Sequence, residues 1–138
     1  MIIGFTASCF DLGPHAGHTA MLKEAKEHCD FLIVALHVDP SKERPQKNKP
    51  VQSVSERYMT LAANKYVDQI IPYETEEELV QLILLIMPDV RFLGEDYKGK
   101  HFTGSNNLEG IKIHYCSRKH SVSSSGIRTK ILESKKAI

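Results

Sequence analysis

His15 and His18 are separated by two residues in His15-Ala16-Gly17-His18, after a short apolar run and before a helical pattern. Imidazoles donate hydrogen bonds to phosphate oxygens. A helix N-terminus adds exposed amides and the positive end of its dipole, which favours an anion. Gly17 lets the backbone come close to a ligand. Together these point to phosphate chemistry, against the blander alternative of a turn with two incidental histidines. The same pair could ligate zinc, but no third ligand is evident and Cys9, Cys29 and Cys116 are dispersed, so no protein-held metal is expected. Further along, Lys42, Arg44, Lys47 and Lys49 form a basic block and Glu74, Glu76, Glu77 and Glu78 an acidic one. Arg118, Lys119 and His120 form a second basic block, followed by Ser123, Ser124 and Ser125, residues suited to capping a helix.

The elements that must position these residues alternate in kind. Ile2–Thr6, Phe31–Val38, Val67–Ile71, Val90–Leu93 and Ile111–Tyr115 read as strands; the second is almost continuously apolar, as a strand buried on both faces should be. Thr19–Cys29, Val54–Lys65, Thr75–Met87 and Ser123–Leu132 read as helices, the third with acids in its first turn and Pro88 at its end. Strands alternating with helices imply parallel strands joined by crossovers. The expectation is an α/β fold: a single doubly wound, Rossmann-like domain over residues 1–138 with a five-stranded parallel sheet. The irregular segments Asp39–Gln52 and Glu95–Gly110 both follow strands, so both reach the carboxyl edge of the sheet, where open parallel sheets bind ligands.

Composition excludes several classes. The 138 residues are 41% hydrophobic and 25% charged, which argues against disorder. The net charge of +1 gives no general affinity for nucleic acid. No apolar run approaches the ~20 residues that span a bilayer, and Met1–Thr6 lacks the features of a signal peptide. A cytoplasmic protein with reduced thiols is expected.

Phe10-Asp11-Leu12 followed by His15-Ala16-Gly17-His18 resembles the HxGH signature of the nucleotidyltransferase superfamily, and is most similar to its glycerol-3-phosphate cytidylyltransferase-like branch. Three further blocks agree in order. Ser55-Glu56-Arg57 and Lys65-Tyr66-Val67-Asp68 resemble the family's ER…RYVD segment. Leu93-Gly94-Glu95-Asp96-Tyr97 resembles its GDDW-type loop, and Arg118 through Ser125 its RTEGISTT signature.

The resemblance implies in-line attack by an acceptor phosphate on the α-phosphate of a nucleoside triphosphate accompanied by Mg2+, with CTP favoured and pyrophosphate leaving. It implies catalytic roles for His15, His18, Lys47, Lys49 and Arg118. Ser8, Cys9, Phe10, Gly17, Gly94, Asp96, Arg118, Lys119, Val122, Ser123 and Ser124 would bind the nucleotide. Asp11, Asp39 and Arg57 would face the acceptor, a phosphorylated small alcohol such as glycerol 3-phosphate, although Asp11 could instead accept backbone hydrogen bonds. It also implies a homodimer bordered by the Arg57–Asp68 segment. The chain departs from the pattern in places. Ser8 and Cys9 replace a Gly and a Thr, the loop before His15 is one residue longer, and Lys119, His120 and Ser121 replace Thr, Glu and Gly. Adenylyl transfer to a sugar phosphate and an inactive nucleotide-binding module are the alternatives.

Overall fold

The computed structural model describes residues 1–105, 109–118 and 123–136. Five strands, β1 (Ile3–Ser8), β2 (Phe31–His37), β3 (Gln69–Tyr73), β4 (Val90–Gly94) and β5 (Lys112–Cys116), form one sheet in the order β3-β2-β1-β4-β5. Every neighbouring pair is parallel, as the alternation of elements requires. The helices are α1 (Ala16–Glu27), α2 (Val54–Ala62), α3 (Glu76–Ile86) and α4 (Ser124–Lys136), with single 3-10 turns at Pro40–Lys42 and Glu95–Tyr97. Among the described residues no helix is long and apolar enough to cross a membrane.

β2 explains the layering. Its residues from Leu32 to His37 are all buried, and successive side chains serve opposite faces. Leu32, Val34 and Leu36 join a core with Leu22 and Ala25 of α1, Leu61 of α2 and Phe92 of β4. Ile33 and Ala35 join Phe5, Tyr73, Leu79 and Ile83 on the face covered by α3. Pro72 lies in β3, an edge strand, where a missing N–H is tolerated.

Element ends differ from the sequence expectation where an unusual cap intervenes. α1 begins at Ala16 rather than Thr19, because His15 caps it and histidine is outside the usual Ser/Thr/Asp/Asn set. α3 ends through Met87 in the left-handed conformation (φ 48°), ahead of Pro88.

The order in which strands are added reverses between β1 and β4, and there the ladder is shortest. β1 pairs with β2 from Ile3↔Phe31 through Ser8↔Leu36, but with β4 only at Gly4↔Val90 and Phe5↔Arg91. Beyond that, the Thr6 hydroxyl donates to the Phe92 carbonyl at 3.1 Å. The carboxyl ends of β1 and β4 therefore flank a crevice at the topological switch point.

Candidate active site

A cavity of about 460 Å³ lies over this crevice. His15, Gly17 and His18 line it at the start of α1, Ser123 and Ser124 at the start of α4, and Gly94 and Arg118 at the ends of β4 and β5. Two helix N-termini thus converge on one space, each bringing the positive end of its dipole.

The histidines are held by a reciprocal capping arrangement. The Gly17 and His18 amides donate to His15 Nδ1 at 3.1 and 3.2 Å, and the His15 amide donates to His18 Nδ1 at 3.2 Å. With both Nδ1 atoms accepting, each neutral ring carries its proton on Nε2. The rings stack at 3.7 Å with 13° between planes, and Phe10, itself buried, packs against His18 at 4.9 Å. Gly13 makes room for this. A Cβ there would lie 2.4 Å from His18 Nδ1 and 2.5 Å from the His15 amide nitrogen. In the loop before the histidines Phe10 and Leu12 have positive φ, and the Gly13–Pro14 bond is cis. Thr60 Oγ1 donates to the Gly13 carbonyl at 2.6 Å.

At the opposite rim the Arg118 guanidinium lies 3.6 Å from the Asp96 carboxylate, and the Arg118 amide donates to Glu95 Oε1 at 2.9 Å. Gly94 sits under this pair; a Cβ there would come 2.5 Å from Asp96 Oδ1. Ser8 also lines the cavity. Lys119 and Val122 lie outside the described residues.

The remaining expected residues are placed elsewhere. Arg57 is 2% exposed and donates to the carbonyls of Gln52, Cys9, His37 and Val38 at 2.6–3.1 Å. It ties the ends of β1 and β2 to α2 and does not line the cavity. Asp11 accepts from the amides of Val51 and Gln52 at 3.0 Å and from Arg128 Nη2, while its carbonyl accepts from Ser124 Oγ at 2.6 Å. The backbone-bonding alternative for Asp11 matches this geometry. Asp39 Oδ1 caps the turn at Pro40–Lys42 by accepting from the Ser41 amide and hydroxyl. Cys9 gives its carbonyl to Arg57, and burial raises its thiol pKa. Lys47 and Lys49 are exposed and outside the cavity lining.

Sequence reasoning missed the other half of the cavity wall. Arg44, Tyr73, Glu76, Arg91 and Thr103 line it on the α3 side. Arg91 sits inside a strand whose neighbours Val90 and Phe92 are core, so it read as part of a buried run. A charged residue alternating with apolar ones in a buried strand was the available signal.

Among the described residues of the cavity lining the one carboxylate is Glu76, which is bonded to Arg44 and Thr103, so no acidic pair is set out for a hard cation. Glu24, His114 and Cys116 bring metal-capable atoms within 4.8 Å of one another. There Glu24 is engaged by His114 Nε2 at 2.8 Å and by the Ser117 amide at 3.0 Å, a clasp between α1 and the end of β5. Burial first, and Glu24 second, push the Cys116 thiol up to about 12.

Residues 5–130 match the cytidylyltransferase-like family. The bifunctional protein HldE of Campylobacter fetus subsp. fetus is 38% identical over 110 residues, 79% of this chain and 24% of that protein. HldE of Granulibacter bethesdensis is 33% identical over 134 residues, 95% of this chain and 27% of that protein. The chain thus spans about a quarter of the length of these curated relatives. The crystal structure of the lipopolysaccharide core biosynthesis protein from Thermoplasma volcanium superposes with a TM-score of 0.71 at 25% identity, covering 87% of this chain and 99% of that one. Sequence blocks, sheet order and this match agree: the chain belongs to the cytidylyltransferase-like family and is an enzyme of the nucleotidyltransferase type.

Proposed function

We propose that the protein transfers a nucleotidyl group from a magnesium nucleoside triphosphate to the phosphate of a small phosphorylated alcohol or sugar, with CTP as the preferred donor. The observation that carries this reading is the convergence of the α1 and α4 N-termini on one cavity, with two capped histidines between them. In the proposed reaction an acceptor phosphate oxygen attacks the α-phosphorus in line. The bond from that phosphorus to the bridging oxygen breaks, and pyrophosphate leaves. Nε2–H of His15 and His18 donates to oxygens on which charge builds, a form of stabilisation that needs no covalent intermediate. The amides at the start of α4 hold the β- and γ-phosphates. Lys47 and Lys49 reach these phosphates when the 40–50 segment closes.

Arg118 supports the choice of CTP. Its fixed donors suit the carbonyl and ring-nitrogen acceptors of a pyrimidine once they leave Asp96. Adenylyl transfer to a sugar phosphate is the second reading, favoured by the likeness to HldE and to a protein of lipopolysaccharide core biosynthesis. We propose further that the protein is a homodimer joined across α2, where Tyr58 and Met59 are exposed beside Val54, Ala62 and Pro72.

The test is pyrophosphate release, with magnesium, from each of four nucleoside triphosphates against glycerol 3-phosphate and a panel of sugar phosphates. CTP is expected to exceed ATP by about tenfold or more, a difference of ~1.4 kcal/mol. A better rate with ATP for every acceptor would overturn the cytidylyl assignment alone. No release from any pair would overturn nucleotidyl transfer.

A further inference from the structure

We infer that the α3 side of the cavity is a phosphate-dianion subsite built from Arg44 and Arg91, and that it holds the phosphate of the acceptor; the second clause rests on the transfer proposed above. Arg91 occupies β4 at a position paired with Phe5, on the face that α3 covers. The strand pattern there calls for an apolar side chain, yet a guanidinium only 4% exposed stands in its place. Its Nη1 donates to the Thr103 carbonyl at 2.6 Å and the Phe102 ring lies 5.2 Å away. Its Nε has no partner among the described residues, and neither has Nε of Arg44.

One carboxylate faces both cations: it bonds Arg44 directly and acts on Arg91 through its charge. Glu76 Oε1 takes Arg44 Nη2 at 2.6 Å and Glu76 Oε2 takes the Thr103 hydroxyl at 2.8 Å. The neighbouring Tyr73 and His37 add no compensating charge. Burial raises the pKa of the Tyr73 phenol and lowers that of the His37 imidazole, so both are neutral near pH 7. Within the lining two guanidiniums face this one carboxylate, with Glu43 outside the lining accepting the Glu76 amide at 2.9 Å, so the lining carries a net positive charge that is desolvated at the buried Arg91 and partly exposed at Arg44. Such a charge is costly unless an anion completes it. Guanidinium forks match the oxygens of a phosphate, and the pairing is strongest where water is excluded. The triphosphate has two helix N-termini across the crevice, so the α3 side is open to the second phosphate the reaction requires.

The experiment titrates glycerol 3-phosphate, inorganic phosphate and uncharged glycerol into protein saturated with magnesium and a non-hydrolysable α,β-methylene analogue of CTP or ATP, whichever binds. Wild type should bind both phosphates and not glycerol. Arg44→Gln and Arg91→Met should weaken phosphate binding about tenfold or more, the scale of a lost charge-assisted fork. Glu76→Gln should tighten it several-fold. Affinity for the nucleotide analogue should stay within about twofold throughout. Thermal melting checks that Arg91→Met folds; if it does not, Arg44→Gln and Glu76→Gln decide. The inference is overturned if wild type binds neither phosphate, if Arg44→Gln leaves phosphate affinity unchanged, or if it weakens the analogue instead. Arginine-dependent phosphate binding without pyrophosphate release from any substrate pair would reject the transfer reading and leave the subsite standing.

Discussion

Each Nδ1 in the His15–His18 pair accepts a backbone amide, and this assigns every ring two jobs at once. One nitrogen caps α1 and the other carries the proposed catalytic donor. Substitutions can separate them. Asparagine caps helices well but does not reproduce Nε2–H, so His15→Asn should keep the melting temperature near wild type while turnover falls ~100-fold or more, the scale of a lost charge-stabilising donor. His15→Ala should lose the same turnover and also about 1 kcal/mol of stability, read by urea denaturation. Near-normal turnover in both would reject the assignment. Gly13→Ala offers an independent check, because the added carbon would come within 2.4 Å of His18 Nδ1 and force the ring to shift. Its turnover should fall with the fold intact by circular dichroism. The histidines were legible because their spacing and neighbours are local. Their tautomer was not, because it depends on which nitrogen meets the backbone.

At the level of elements, the segment from Pro40 to Pro50 carries the most testable motion. It holds Lys47 and Lys49 outside the cavity and is anchored at its far end by the Asp11 carboxylate. Adding nucleotide with magnesium should slow its cleavage by trypsin, followed by mass spectrometry; unchanged cleavage at saturation counts against closure. β2 ends in a pH-sensitive residue. His37 is 3% exposed and stacks on Tyr73 at 4.5 Å. Burial lowers its pKa below the ordinary value of 6.5. The unfolded chain therefore binds the proton first as pH falls, so this stability is complete above pH 6.5 and drains away below it. Melting temperatures of wild type and His37→Phe should converge as pH drops from about 7 to about 5, if wild type starts the more stable. A constant gap would refute the mechanism. The strands and helices themselves were readable from apolar periodicity. The tie made by Arg57 was not legible, since its sequence position on α2 says nothing of three carbonyls waiting at the ends of β1 and β2. Arg91 was hidden for the opposite reason, as one charge inside an apolar run.

Across the whole molecule, the reversal of strand order between β1 and β4 decides where everything meets. It places residues from both ends of the chain around one crevice, which local patterns could suggest only through the rule for parallel sheets. Assembly is less determined by the fold. Met59 is 74% exposed and Tyr58 43%, a pairing of large apolar groups beside the apolar groove of α2. Sedimentation should give a species of twice the 15.6 kDa chain mass, and Met59→Asp should shift it to the monomer. A wild-type protein that sediments only as monomer at micromolar concentration would refute the dimer.

Asp11 draws a consequence from its position as a strut. Its carboxylate fixes Val51 and Gln52 at the end of the lysine segment, and the same residue fixes Ser124 and Arg128 of α4. Two segments that share one tie exchange free energy. A triphosphate that fixes α4 would leave less entropy to be lost when the lysine segment settles, and the coupling is reciprocal. Nucleotide is then expected to shield the lysine segment from trypsin, and settling of that segment to tighten the hold on nucleotide. Arg128→Met removes the carboxylate's bond to α4 and leaves both backbone anchors and the Ser124 hydroxyl bond to the Asp11 carbonyl in place. In that variant the shielding of the lysine segment from trypsin by nucleotide should weaken.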